Sequence, residues 1–199
     1  MRCEKPPSVS IGSTFNGLDG SMNLVSLIDV QPTQVLDYFK RNQAHLAPSM
    51  PLLGSEFYEP EYWNERRQVH QRELDQGVAV RWVIVTSKDA KQNQTVMGHI
   101  NLTQIFRGPS QSGVVGYGLD RQAEGKGLMS QALGIAIDYA FEDLALHRIQ
   151  ANYRPENVRS EAVLHRLGFV REGFAKDYLK LNGVWCDHVL TSKISPLQN

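Results

Sequence analysis

The stretch Gly118-Leu-Asp-Arg-Gln-Ala-Glu-Gly-Lys-Gly-Leu-Met129 joins an apolar run, Val114 to Leu119, to a long helical pattern, Leu128 to Leu144. Two glycines, Gly125 and Gly127, stand at the joint. A helix starting there leaves its first backbone N–H groups unpaired and aimed at one point, which is a seat for phosphate. The commoner phosphate loops do not fit. A P-loop needs glycine where Asp120 stands and Ser or Thr where Gly127 stands, and a dinucleotide loop begun at Gly125 needs glycine where Ser130 stands. What remains is Gln122-x-x-Gly125-x-Gly127. Alone this is a weak signal, because a glycine pair between strand and helix also makes an ordinary turn.

Outward from the loop, the periodicity assigns the remaining elements. Asn23 to Ile28 alternates as a strand, and a helix begins near Pro32 with Val35, Leu36, Phe39 and Leu46 as its apolar stripe. Pro48 and Pro51 end that pattern. A charged helix runs from about Pro60 to Gln76, with Gly77 as its stop. The period then falls to two, with Val78, Val80, Trp82, Ile84 and Thr86 on one face of a strand. Residues 87–94 form a polar turn, and Thr95 to Phe106 is the next strand, with Gly98 at a bulge or bend. After the long helix come a strand over His147 to Tyr153 and a helix over Asn157 to Leu167. A strand then starts at Phe169, Asn182-Gly183 makes a type I′ turn, and Val184 to Ser192 returns. The pattern is α+β, with one mixed, mostly antiparallel, twisted sheet flanked by helices. Residues 1–22 read as an N-terminal arm or loose hairpin, 23–194 as a single domain and 195–199 as a tail.

Composition narrows the function classes. Twenty-one basic against 21 acidic residues in a chain of 199 leave no net charge, so non-specific attraction to nucleic acid or anionic membrane is not expected. No run approaches the roughly 18 apolar residues of a membrane helix, and Met1-Arg-Cys-Glu-Lys-Pro-Pro7 lacks the apolar core of a signal peptide. Cys3 and Cys186 make no disulfide framework, and the six histidines show no metal-ligand spacing. The expectation is a cytoplasmic protein without metal, monomeric or homodimeric.

A second motif lies downstream: a strand ending Ala151-Asn-Tyr153, then Asn157-Val-Arg-Ser160, a short helix closed by Leu167-Gly-Phe169, and Glu172-Gly173. In this order and spacing the two motifs resemble the cofactor-binding motifs of the GNAT superfamily of acetyl-CoA-dependent N-acetyltransferases. Within it the chain is similar to the ribosomal-protein-alanine N-acetyltransferases, the RimJ type above all. Gly125-Lys-Gly-Leu-Met129, Ala175-Lys-Asp-Tyr-Leu179 and Trp185-Cys-Asp-His-Val-Leu-Thr191 carry that likeness. It is close from Gly116 to Thr191, looser over 23–115 and absent before Asn23.

The resemblance implies the GNAT (acyl-CoA N-acyltransferase) fold and acetyl-CoA as cosubstrate. It also implies a protein N-terminus as acceptor, namely the N-terminal alanine of the fifth protein of the small ribosomal subunit. Gly125 and Gly127 would let the pyrophosphate approach. N–H groups from Gly125 through Lys126, Leu128 and Met129 to Ser130 would bind it, with Gln122 shaping the loop. Tyr117, Gly118 and Leu119 would end a splayed central strand that meets the pantetheine arm. Asn157, and more weakly Asn152, would bond a pantetheine amide, and Ser160 would protonate the leaving thiolate. Asn157 is equally a good helix N-cap, and one side chain fills only one of these roles fully.

The chain departs from the wider superfamily in two places. Leu164 stands where many members have a tyrosine acid, and Val114-Val115 where many have a glutamate base. An α-amine, with pKa about 7.7–8.0, is already roughly 10–15% neutral at pH 7, whereas a lysine is so on the order of 0.04% of the time. Loss of the usual pair therefore favours an N-terminal acceptor. Glu172, Asp177, Asp187 and His188, near the closing hairpin, can take the proton through water. His45 to Pro51 and the charged helix after it are expected to wall the acceptor groove. Two other functions stay open: acetylation of a small amine such as a polyamine or drug, and a CoA-binding ribosome-assembly factor with little transferase activity.

Overall fold

Val80, Trp82 and Ile84 turn to one side of a strand and Val83 and Val85 to the other, and all five are buried. That strand is therefore the spine of a sheet covered on both faces. The computed structural model describes residues 12–17, 20–86 and 94–196. The expected turn at 87–94 lies outside these but for Gln94, as do residues 1–11 of the arm and 197–199 of the tail. The strands are β1 (Gly12–Gly17), β2 (Gly20–Ser26), β3 (Val80–Thr86), β4 (Val96–Phe106), β5 (Ser112–Leu119), β6 (Arg148–Gln150), β7 (Val170–Leu181) and β8 (Val184–Ile194). They form one sheet in the order β1-β2-β3-β4-β5-β6-β8-β7, antiparallel at every junction except β5–β6.

The helices are α1 (Pro32–Arg41), α2 (Gln43–Leu46), α3 (Pro60–Asp75), α4 (Leu128–Glu142) and α5 (Val158–Arg166). One core packs α4 and α5 onto the face that carries Trp82, Ile100, Leu102 and Ile149. Leu128, Ala132, Ala136 and Ala140 recur at helical spacing, and the small side chains let α4 lie close to the sheet. The other core lies under α1 and α3, with Tyr38, Phe39, Phe57 and Trp63 against Val83, Val85 and Val96. Among the described residues no helix is long and apolar enough to cross a membrane.

Two elements differ from expectation. The strand expected at Asn23–Ile28 begins at Gly20, pairs with β1 along Gly12↔Val25 to Gly17↔Gly20, and turns into a 3-10 helix at Leu27–Asp29. The helix begun at Pro32 breaks at Asn42, before the prolines, because Asn42 Nδ2 turns back onto Tyr38 O (3.0 Å) and across to Asp120 Oδ2 (2.9 Å). The bulge expected near Gly98 is present: Ile84 pairs with Gly98 and Val85 with Val96, leaving Met97 as the extra residue.

Candidate active site

The site begins where two strands part. β5 stays paired with β4 as far as Leu119↔Gly98, but with β6 only from Ser112↔Arg148 to Val114↔Gln150. Past Gln150 the chain leans onto β8 instead: Ala151 N–H donates to Thr191 O (3.1 Å) and Tyr153 N–H to Val189 O (3.2 Å). Val115 to Leu119 therefore keep one edge without a strand. Asp120 N–H donates to Met97 O on β4 (2.7 Å). Alternation then turns the backbone groups of Gly118 towards β4 and those of Tyr117 and Leu119 into the opening. These unpaired groups face the place where an amide-bearing chain can lie between the strands.

The glycine loop is fixed at its start by Asp120. Its Oδ1 accepts from Gln122 N–H (2.9 Å), and its Oδ2 from Arg41 Nε (2.8 Å) and Asn42 Nδ2 (2.9 Å). Asn42 Oδ1 in turn accepts Arg121 N–H (3.2 Å). Burial alone would raise the Asp120 carboxyl, but the hydrogen bonds from Asn42, Gln122 N–H and Arg41 outweigh it and hold the group below the usual carboxylate range. Gly125 and Gly127 then take φ of +75° and +74°, which a β-branched residue resists. A β-carbon at Gly125 would meet nothing within 4 Å, so that side of the loop is open.

α4 starts without a side-chain cap, leaving the first-turn N–H groups to a ligand. Leu128 and Met129 sink their side chains into the core and offer backbone only, while Ser130 Oγ accepts from Arg166 Nη1 (2.8 Å). Glu124 is bracketed by His45 Nε2 (3.3 Å) and the guanidinium of Arg159. The expected cofactor residues from Tyr117 to Ser130 thus converge. An open glycine cradle, uncapped N–H groups and the partial positive charge of a helix start, flanked by Arg159 and Arg166, fit a pyrophosphate.

Across the opening, Ser160 in the first turn of α5 meets Tyr117: Tyr117 Oη lies 2.7 Å from Ser160 Oγ. Burial pushes the Tyr117 phenol up to about 12, against the lowering effect of the Ser160 hydrogen bond. It stays protonated, so two hydroxyls form a chain at the apex of the parted strands. Asn157 caps α5, its Oδ1 accepting Ser160 N–H (3.0 Å), while both Nδ2 hydrogens stay available to a ligand. Asn152 is committed on both sides. Its Oδ1 accepts Thr191 N–H and its Nδ2 donates to Tyr178 Oη, both at 3.2 Å, fastening the β6 extension to the closing hairpin. The structure therefore brings Asn157 and Ser160 to the opening and spends the Asn152 amide on the hairpin.

On the α1 face of the parting strands sits His99, opposite Gly118 in the β4–β5 register. A β-carbon at Gly118 would lie 2.5 Å from His99 Cε1, so glycine makes room for the ring. His99 Nδ1 is 3.1 Å from the hydroxyl of fully buried Tyr38, and burial lowers the imidazole to about 4. The expected acceptor wall does cross this face: His45 meets Glu124, Arg154 Nη1 donates to Pro48 O (2.9 Å), and Asn182 N–H donates to Met50 O (2.8 Å). Residues 43–50 thus span from the glycine loop to the β7–β8 turn. Of the expected proton acceptors, Glu172 is tied to Ser192 Oγ (2.7 Å) and Arg148, which together lower its pKa. Asp187 Oδ1 holds Asp177 N–H (2.9 Å).

The sequence reading missed Asp120, Arg41 and Asn42 as the anchor of the loop, and Tyr117 as the partner of Ser160. The one local signal was Asp120 itself, two residues before the N–H it accepts. Among the described residues no group of His, Cys, Asp and Glu is placed to hold a metal ion.

Comparison with known proteins agrees with this geometry. An acetyltransferase (GNAT) domain model matches residues 37–170. The chain is 37% identical over 163 residues to the ribosomal protein uS5-alanine N-acetyltransferase of Escherichia coli, covering 82% of each protein. Among solved structures it resembles the ribosomal-protein-S5-alanine acetyltransferase of Vibrio fischeri (TM-score 0.86, 36% identity, 95% of this chain and 99% of that one). It also resembles RimJ of Mycobacterium smegmatis in complex with CoA-disulfide (TM-score 0.84, 26% identity, 94% and 89%). The chain belongs to the GNAT family and is an N-acetyltransferase.

Proposed function

We propose that this enzyme transfers the acetyl group of acetyl-CoA to the α-amine of an N-terminal alanine on a ribosomal protein, with uS5 as the leading acceptor, by direct transfer in a ternary complex. The reading rests first on the parted β5–β6 edge, bridged by the Tyr117–Ser160 hydrogen bond beside the glycine-lined start of α4. The acceptor is argued from the relatives named for uS5 alanine and from the α1 face of β5, where Gly116 and Gly118 leave no carboxylate base.

Acetyl-CoA supplies the activated thioester. Gly125, Gly127 and the first turn of α4 hold the pyrophosphate, and the inward backbone groups of Tyr117 and Leu119, with Asn157 Nδ2, take the pantetheine amides. Ser160 Oγ gives its proton to the departing sulfur, and Tyr117, kept protonated by burial, returns one to Ser160. A thiolate with pKa near about 8.5 needs only such modest help. Holding amine and thioester together contributes about 7–11 kcal/mol to lowering the barrier.

A polyamine acceptor would want carboxylates over the groove. Glu56, Glu59, Glu61 and Glu65 are all exposed, and Glu61 and Glu65 lie on the side of α3 opposite buried Trp63 and His70. Release of CoA is measured with peptides beginning Ala, Ser, Gly and Leu, and with an acetyl-Ala peptide carrying an internal lysine. Ala and Ser are expected to lead, with the blocked peptide inert. Equal rates for all, or acetylation of the blocked peptide, would overturn the α-amine assignment. A trappable acetyl-enzyme would overturn direct transfer.

A further inference from the structure

The transferase reading leaves the amine proton without a recipient. We infer that His188 Nε2 is the base that takes it. The inference rests on that reading and on four features of the closing hairpin.

The tautomer is set by the backbone. His188 Nδ1 lies 3.0 Å from Cys186 O, and a carbonyl only accepts, so Nδ1 carries the hydrogen. In the neutral ring Nε2 is then a bare lone pair, and it makes no hydrogen bond to any described residue.

The face is right. Val115, Ile149, Tyr153 and Val189 point into the core beneath α4. Alternation turns Gly116, Asn152 and His188 to the opposite face, the one crossed by residues 43–50. The antiparallel Tyr153↔Val189 bridge sets Asn152 opposite Leu190 and His188 opposite Arg154, whose guanidinium reaches Pro48 O in the crossing segment, beyond the point where β6 leaves β5. Exposed Gly116, level with Asn152 when the Val114↔Gln150 register is continued, has nothing within 4 Å of its missing β-carbon and leaves space on the strand across the gap.

The ring is held in place. His188 is 3% exposed. In β7 three residues, Lys176 to Tyr178, stand opposite Asp187 alone. Asp177 sits there at φ +48°, with its N–H on Asp187 Oδ1. Such a bulge re-aims a side chain. Here it brings the Tyr178 ring to 5.4 Å from the imidazole and the Tyr178 hydroxyl onto Asn152 Nδ2.

Two other basic groups near the groove, Glu172 and His99, are engaged. Glu172 belongs to Ser192 and Arg148, and His99 shares Nδ1 with Tyr38 and is held uncharged by burial near neutral pH.

In the step itself the amine lone pair forms the C–N bond to the thioester carbonyl carbon as His188 Nε2 removes an N–H proton. The C–S bond breaks with its electron pair on sulfur, which takes the Ser160 proton. The proton on His188 returns through water to the Tyr117–Ser160 pair. Amine and acetyl-CoA give amide and CoA thiol with no net proton.

The substitution His188→Asn tests this, because Asn Nδ2 keeps a donor for Cys186 O and has no basic nitrogen. With an Ala-starting peptide kcat is expected to fall on the order of 10²-fold. Acetyl-CoA affinity and melting temperature should stay at wild-type values, and added imidazole should restore part of the rate in the variant only. A folded variant within about twofold of wild-type kcat, or a loss that imidazole leaves untouched, would overturn the assignment. Histidine-selective 15N spectra of the wild-type enzyme give a check without substitution: a hydrogen on Nε2 and none on Nδ1 would overturn it as well. If the wild-type enzyme releases no CoA with any peptide, the transferase reading fails and takes this inference with it. Turnover in wild type alongside an unaffected variant sinks only the inference.

Discussion

Ser160 and Tyr117 lie 43 residues apart in sequence and 2.7 Å apart in space. A serine in the first turn of a helix is commonplace, and nothing local marks this one as an acid. Its partner changes that, because a phenol pushed up to about 12 is a proton reservoir that never ionises near neutral pH. In the proposed transfer the sulfur takes its proton from Ser160 Oγ, and the tyrosine replaces it. Ser160→Ala is expected to lower kcat on the order of 10²-fold with little change in the acetyl-CoA KM. Tyr117→Phe should cost less, about tenfold, because Ser160 keeps its own hydroxyl and water can reset it. Steady-state kinetics of the two variants decide between roles. A Ser160→Ala enzyme that raises KM and spares kcat makes Ser160 a binding contact and removes it from proton transfer.

The glycine loop and the helix it opens were legible because their physics is local. An uncapped helix start needs unpaired N–H groups and a permissive backbone, and both follow from Gly125-Lys-Gly127 ahead of an apolar 3.6-residue period. Gly125→Val separates fold from ligand at this element. The fold has room for the side chain, since a β-carbon there meets nothing within 4 Å, although φ of +75° adds about 1–2 kcal/mol of strain. A phosphate approaching the same open side would meet it. Titration with acetyl-CoA should show affinity reduced at least about tenfold in a protein that still melts cooperatively. Unchanged affinity would remove the loop from the site. Strands β3, β4 and β5 and helices α3 and α4 were legible by the same local logic. What sequence reading missed was long-range. The break at Asn42 depends on a carboxylate 78 residues away, and the Arg41–Asp120 pair spans 79. Of the β1–β2 hairpin, the alternation from Asn23 announced the end of β2, while β1 and the start of β2, read as an arm or loose hairpin, carry Gly, Ser and Asn instead of an alternating apolar face. Asn157 shows the opposite difficulty, a residue whose local capping role was as readable as the ligand role it competes with.

At the scale of the whole molecule, two cores lie on opposite faces of one sheet, and the one under α1 and α3 holds two imidazoles whose pKa values burial lowers. The layer of α1 and α3 covers His99 on β4, and its own α3 brings in His70, which is 7% exposed. His70 is lowered to about 3 by burial first and then by Arg81 and Arg66, and His99 to about 4 by burial. Both are neutral in the folded protein at a pH where a free histidine, near about 6.5, is charged. The unfolded chain therefore binds more protons below about 6.5, so stability falls as pH is lowered from there towards the folded-state values. Each histidine contributes about 1.4 kcal/mol per pH unit to that slope, and the pair about twice as much, over the window from roughly pH 6 to 4.5. Asp120 and Glu172, whose pKa values are depressed, add their losses only at lower pH, as they protonate. Urea unfolding at a series of pH values reads the slope directly. In His99→Gln it should fall to about half the wild-type value across the window, whatever constant offset the substitution brings. A wild-type stability that is flat between pH 6 and 4.5, or an undiminished slope in the variant, would show that this layer does not hold its histidines uncharged.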